Sequence, residues 1–172
     1  LLAHNMKDYI LELYIVDDGS SDNSAKVIRQ FIEEHDKDNR MHFLCYEKNA
    51  YFKWSKDVTP MLKGKYISLI SADDFMISGR IEKQIEVLEN NSDRYKACFT
   101  WATVIDGNGN TIPKYEAAFQ RFSRRDVSRY KKIKNLIMYM NHIAAPSNMM
   151  DLSMYREIGG INFDSKQLQD YE

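Results

Sequence analysis

Residues 11–20, Leu11-Glu12-Leu13-Tyr14-Ile15-Val16-Asp17-Asp18-Gly19-Ser20 (LELYIVDDGS), decide the fold. A largely apolar run rich in β-formers stops abruptly at turn residues, the signature of a strand buried in a parallel sheet. The next stretch, SDNSAKVIRQFIEEH, carries Val27, Ile28, Phe31 and Ile32 at helical spacing, with Ser21 or Asp22 placed to cap the helix. Working outward, Met41–Tyr46 (MHFLCY) reads as a second strand, and Lys53–Leu62 as a short helix weakened by Pro60. Lys65–Ile70 (KYISLI) is a third apolar strand, ending at Ser71-Ala72-Asp73-Asp74. A helix over residues 78–90 follows, with Ile81, Ile85 and Leu88 on one face. Tyr95–Ile105 is strand-like and runs into the turn Asp106–Asn110. Residues 126–140 form a helix with a basic front: residues 121–134 hold seven Lys and Arg against Asp126 alone. Strand–helix alternation in the first half predicts an α/β parallel sheet with right-handed crossovers.

Composition narrows the class without naming it. The chain has 172 residues, 44% hydrophobic and 28% charged, as in ordinary globular domains. Lys and Arg number 24 against 25 Asp and Glu, so the basic excess of a nucleic-acid binder is missing. Cys45 and Cys98 make neither a zinc pattern nor a disulfide framework, which favours a reducing compartment. The four histidines are scattered, with no i, i+4 pair. The N-terminus does not read as a signal peptide, and no apolar run has membrane-spanning length. Walker A, G-x-S-x-G and G-x-G-x-x-G patterns are missing, which disfavours P-loop, serine hydrolase and dinucleotide-binding readings.

Two strands each end in an acidic pair. Ligands of open α/β sheets bind outside the carboxyl ends of the strands. Asp17-Asp18 and Asp73-Asp74 are both expected at that edge, where four carboxylates repel one another unless a cation intervenes. Mg²⁺ uses one or two carboxylates together with substrate phosphates, so the pattern points to a metal-bound phosphorylated ligand. Taken singly, either pair is better explained as turn and cap residues; both pairs on like-positioned strand ends reverse that preference.

Three segments carry a family resemblance. YIVDDGSSDNSAKVI resembles the second-strand motif of family 2 glycosyltransferases, IIVDDGSTDGT. GKYISLISADDFMISGRIEKQIEVLE, residues 64–89, resembles their GEYIAFLDADD…RLEKQ segment, and MYREIGGINFDSKQLQDYE resembles the stretch that ends at the catalytic acid. The resemblance implies a GT-A fold, a Rossmann-like and mostly parallel sheet flanked by helices. It implies inverting transfer of a sugar from a nucleotide diphosphate, most often UDP, to an acceptor hydroxyl. Asp18, with Asp17 beside it, resembles the carboxylate that binds the base. Asp73 then lies near the ribose, Asp74 on Mg²⁺ or Mn²⁺, and Asp170 is the general base. Arg80, after the acidic motif, fits two roles equally: approach to the diphosphate, or helix capping and surface pairing.

Two positions depart from the pattern: Ser71 stands for the first acid of the metal motif, and Gln169 for the acid before Asp170. Relative to the family, the first strand and the continuation past the base are missing. The expectation is therefore one catalytic-domain fragment over 1–172, incomplete at both ends. Its nucleotide half covers about 1–75 and its acceptor side about 76–172. Implied partners are the sugar nucleotide and a saccharide or lipid-linked acceptor, in the cytoplasm. The basic stretch reads first as a solvated helix face, and second as a grip for an acceptor phosphate or for peripheral membrane association. Two other classes fit parts of the pattern: a sugar-nucleotide-binding member without turnover, and a receiver-type Mg²⁺-binding signalling domain.

Overall fold

The computed structural model describes residues 9–51, 53–112, 128, 130–131, 133–134 and 144–160. These fall into two compact units: residues through Lys65 with those from Tyr155 onward, and Tyr66–Met154.

In the first unit, β1 (Leu13–Asp17) pairs in parallel with β2 (Met41–Cys45), Leu13 opposite Met41 and Asp17 opposite Cys45. The crossover is α1 (Ser24–His35), as the sequence predicts. The N-cap is Asn23, next after the expected Ser21 or Asp22, while Asp22 Oδ1 accepts the Ser24 N–H at 2.9 Å. Hydrogen bonding from the Ser24 hydroxyl first, and then from its N–H, holds the Asp22 carboxyl below its ordinary pKa. The Arg29 guanidinium of α1 lies 4.9 Å from the Phe43 ring centroid on β2. Of the predicted apolar stripe, Ile28 and Ile32 are half-buried and Val27 and Phe31 exposed. α2 (Lys53–Val58) gives way to a 3-10 turn at Thr59–Met61, where Pro60 cannot supply an amide to continue the α-helix.

The second unit is an antiparallel sheet ordered β3 (Tyr66–Ile67), β5 (Asn148–Asp151), β4 (Ala97–Phe99). The expected six-residue strand at Lys65–Ile70 thus contributes two ladder residues, paired antiparallel with β5; the parallel ladder is that of β1 and β2. α3 (Arg80–Glu89) buries Ile81, Gln84, Ile85 and Leu88, so the predicted apolar face is the buried one, with Gln84 added to it. Met149 and Leu152 complete the buried apolar set of this unit. Asp106 Oδ1 accepts the N–H groups of Asn108 and Asn110, and a bridge between Ile105 and Thr111 closes the predicted turn. α4 (Leu152–Glu157) follows β5 directly. Tyr130, Lys131, Ile133 and Lys134 are helical and Ser128 is not; the other residues of the expected helix at 126–140 lie outside the described residues.

Candidate functional site

The first acidic pair sits where β1 ends. Asp17 is the last residue of the strand and is 4% exposed. Its Oδ1 accepts the Ser20 N–H at 2.7 Å and its carbonyl accepts the Tyr46 N–H at 2.9 Å. Its Oδ2 is buried without a hydrogen-bond partner among the described residues. Asp18 is half-buried, and its Oδ1 accepts the Ala50 N–H at 2.7 Å, tying the loop after β2 to the end of β1. Gly19 makes that approach possible. Its φ is +84°, and a Cβ there would lie 2.5 Å from the Lys48 carbonyl carbon. The two acids therefore divide the work: buried Asp17 builds the turn from inside, and half-buried Asp18 ties it to the loop after β2.

A polar group braces the same loop. The Tyr46 hydroxyl donates to Asp57 Oδ2 at 2.8 Å, and Lys53 Nζ lies 3.3 Å from that oxygen. Burial first, then the bond to Asp57 and the charges of Asp57 and Asp18, push the Tyr46 hydroxyl up to about 12. The hydrogen bond from Tyr46, followed by Lys53, holds the Asp57 carboxyl below its usual range.

The second acidic pair belongs to the second unit. After β3 the chain turns at Ser71–Asp74, with the Asp74 N–H donating to the Ser71 carbonyl at 3.2 Å. Ser71, Asp73 and Asp74 are exposed, and neither carboxylate has a hydrogen-bond or ion-pair partner among the described residues. Both acids are hard oxygen donors, suited to Mg²⁺ or Mn²⁺ when water and phosphate complete the shell. No group of three or more His, Cys, Asp or Glu converges among the described residues. Arg80 turns inward: Nε donates to Gln84 Oε1 at 2.8 Å, and Nη2 to Ser68 Oγ at 3.0 Å and the Asn148 carbonyl at 2.9 Å. Burial lowers the pKa of its guanidinium. Asp170 and Gln169 lie outside the described residues.

The residues 1–158 match the family model described as glycosyl transferase family 2. The chain belongs to that family. An uncharacterized glycosyltransferase of Methanocaldococcus jannaschii is 25% identical over 169 residues, covering 96% of this chain and 53% of the relative. A second uncharacterized glycosyltransferase, from Haemophilus influenzae, is 30% identical over 82 residues, 47% of this chain and 32% of its own. Glycosyltransferase GlyG of Streptococcus pneumoniae is 28% identical over 129 residues, 70% of this chain and 42% of GlyG. The chain thus spans about half the length, or less, of these curated relatives. Membership sets aside the receiver-type reading and brings an α/β, GT-A-like domain with it. Among the described residues, no helix of this family 2 chain is long and apolar enough to cross a membrane.

Sequence reasoning missed Gln84, Asn148 and Tyr46. Gln84 had a signal: it occupies the stripe of Ile81, Ile85 and Leu88, where a polar residue demands buried partners. Asn148 had none, because Leu69, the partner that matters for the acidic turn, lies 79 residues away.

Proposed function

We propose that this chain handles the sugar nucleotide in a glycosyltransferase that moves a sugar from a nucleotide diphosphate, UDP by family resemblance, to an acceptor hydroxyl with inversion. The observation that carries this is the β1 turn. Asp18 has one oxygen fixed on the Ala50 amide, which orients the other as an acceptor for the N–H of a base. Asp17 and Gly19 hold that orientation from beneath. Asp73 serves the ribose hydroxyls and Asp74 the cation; both carboxylates are exposed and uncommitted to other protein groups among the described residues.

When bound, Mg²⁺ or Mn²⁺ supplies Lewis-acid neutralisation of the charge on the departing diphosphate. Asp170 takes the proton of the acceptor hydroxyl as its oxygen bonds to the anomeric carbon and the carbon–oxygen bond to the diphosphate breaks. A single displacement of this kind inverts the anomeric centre. Residues 1–172 act here as one catalytic domain, its nucleotide-binding half covering about 1–75 and its acceptor side about 76–172. The acceptor is a saccharide or a lipid-linked saccharide.

The test is calorimetric titration of the full-length protein with UDP, with and without Mn²⁺, beside sugar-nucleotide turnover. Asp74→Ala should lose the Mn²⁺-dependent part of UDP affinity, and Asp170→Asn should lose turnover while keeping UDP affinity. Unchanged Mn²⁺-dependent affinity in Asp74→Ala overturns the cation assignment. UDP binding by a wild-type protein that turns over no sugar nucleotide would mark a binding protein in place of a transferase, the outcome Ser71 and Gln169 make worth checking.

A further inference from the structure

Only three residues separate the Ser71–Asp74 turn from the last ladder pair of β3, Ile67 with Met150. An exposed turn on a two-residue strand needs another means of being held. Asn148 supplies it. Its Oδ1 accepts the Leu69 N–H at 3.1 Å and its Nδ2 faces the Leu69 carbonyl at 3.4 Å, so the carboxamide imitates a strand partner two residues past the ladder. Nδ2 also donates to the Ala145 carbonyl. The carbonyl of Asn148 in turn accepts the Ser68 hydroxyl at 2.6 Å and Arg80 Nη2 at 2.9 Å. Gln84, 1% exposed, closes the group: it accepts Arg80 Nε and donates to the carbonyls of Ser147 at 2.9 Å and Cys98 at 3.1 Å. A half-buried guanidinium with no carboxylate partner among the described residues is costly unless its N–H groups are satisfied. Here its fork is spent on the chain that leads into the acidic turn.

We infer that Arg80 and Asn148 are positioning residues for the cation-binding turn, acting through Ser68 and Leu69, and that Arg80 serves there instead of touching the donor's phosphates. The inference rests on the assignment of Asp74 to the cation. Partners that orient metal ligands typically contribute about 10–100-fold in metal affinity. Arg80→Lys is included because an ammonium cannot reproduce the planar fork.

The experiment compares wild type, Arg80→Gln, Arg80→Lys and Asn148→Ala in the full-length protein. Hydrogen exchange is followed at the Leu69–Asp74 amides without metal or nucleotide, and UDP affinity with and without Mn²⁺. The expected result is faster exchange over Leu69–Asp74 in all three variants and unchanged metal-free UDP affinity. The Mn²⁺-dependent gain should fall by about 10–100-fold. Should Asn148→Ala fail to fold, Ser68→Ala removes one hydroxyl from the same group and carries the same expectation. Loss of metal-free UDP affinity in Arg80→Gln, with Asn148→Ala behaving as wild type, overturns the inference and puts Arg80 on the phosphates. A wild type that gains no affinity from Mn²⁺ defeats the cation assignment alone; exchange at Leu69–Asp74 then decides positioning, and wild-type rates in every variant overturn it.

Discussion

Gly19 carries the β1 turn on a backbone that other residues adopt at a cost. A φ of +84° already penalises a side chain, and the backbone of Lys48 and Asn49 occupies the space a Cβ would need. Gly19→Ala should destabilise the protein by at least about 1 kcal/mol, read as a lower denaturant midpoint at unchanged slope. A wild-type midpoint would mean that the loop carrying Ala50 moves aside freely. Tyr46, in the same neighbourhood, makes a prediction in pH. Its folded pKa, about 12, lies above the ordinary 10.0. The unfolded chain therefore ionises first as pH rises. The contribution of Tyr46 is whole below about pH 10 and is lost as pH climbs toward 12. The stability gap between wild type and Tyr46→Phe should be constant below that window and shrink within it. A gap independent of pH through the window would contradict the burial and hydrogen bond assigned to this hydroxyl.

Elements fared unequally between sequence and structure, for physical reasons. Helices are local, and α1 and α3 were legible in their periodicity because i, i+3 and i+4 positions share a face. Sheet pairing is not local: β5 lies some fifty residues from β4, and its sequence, NMMD, has neither alternation nor β-branched residues. That is why Tyr95–Ile105 reads as one long strand, whereas pairing with β5 is confined to Ala97–Phe99. The start of α4 was equally hidden. Asp151 Oδ1 accepts the N–H groups of Ser153 at 2.8 Å and Met154 at 3.1 Å, and also the Ser153 hydroxyl, which lowers the carboxyl pKa. Asp151→Ala should cost about 1 kcal/mol through the lost cap. Because the folded pKa is depressed, this contribution is present above the unfolded pKa and fades as pH falls through the folded one. Denaturant unfolding of the pair near neutrality and again near pH 3 should show the gap narrowing in acid.

Across the whole molecule, the motifs told more about function than about packing. Asp17, Asp18, Asp73 and Asp74 stand in the short segments that carry the family resemblance, and the match over 1–158 bears out the family itself. Which apolar residues form a core is instead a property of the assembled chain. Val27 and Leu88 look alike in sequence, each on the apolar stripe of a helix, yet they are 62% and 1% exposed. Leu88→Ala should leave a cavity under α3 and cost about 2–5 kcal/mol, whereas Val27→Ala should stay within about 0.5 kcal/mol. The comparison is made by denaturant unfolding of both variants in the full-length protein. Equal losses would mean that Val27 is covered in the full-length protein. A small loss at Leu88 would be the graver result. It would show that the packing of α3 against the antiparallel sheet, on which the hold of Arg80 and Gln84 depends, contributes little to the native state.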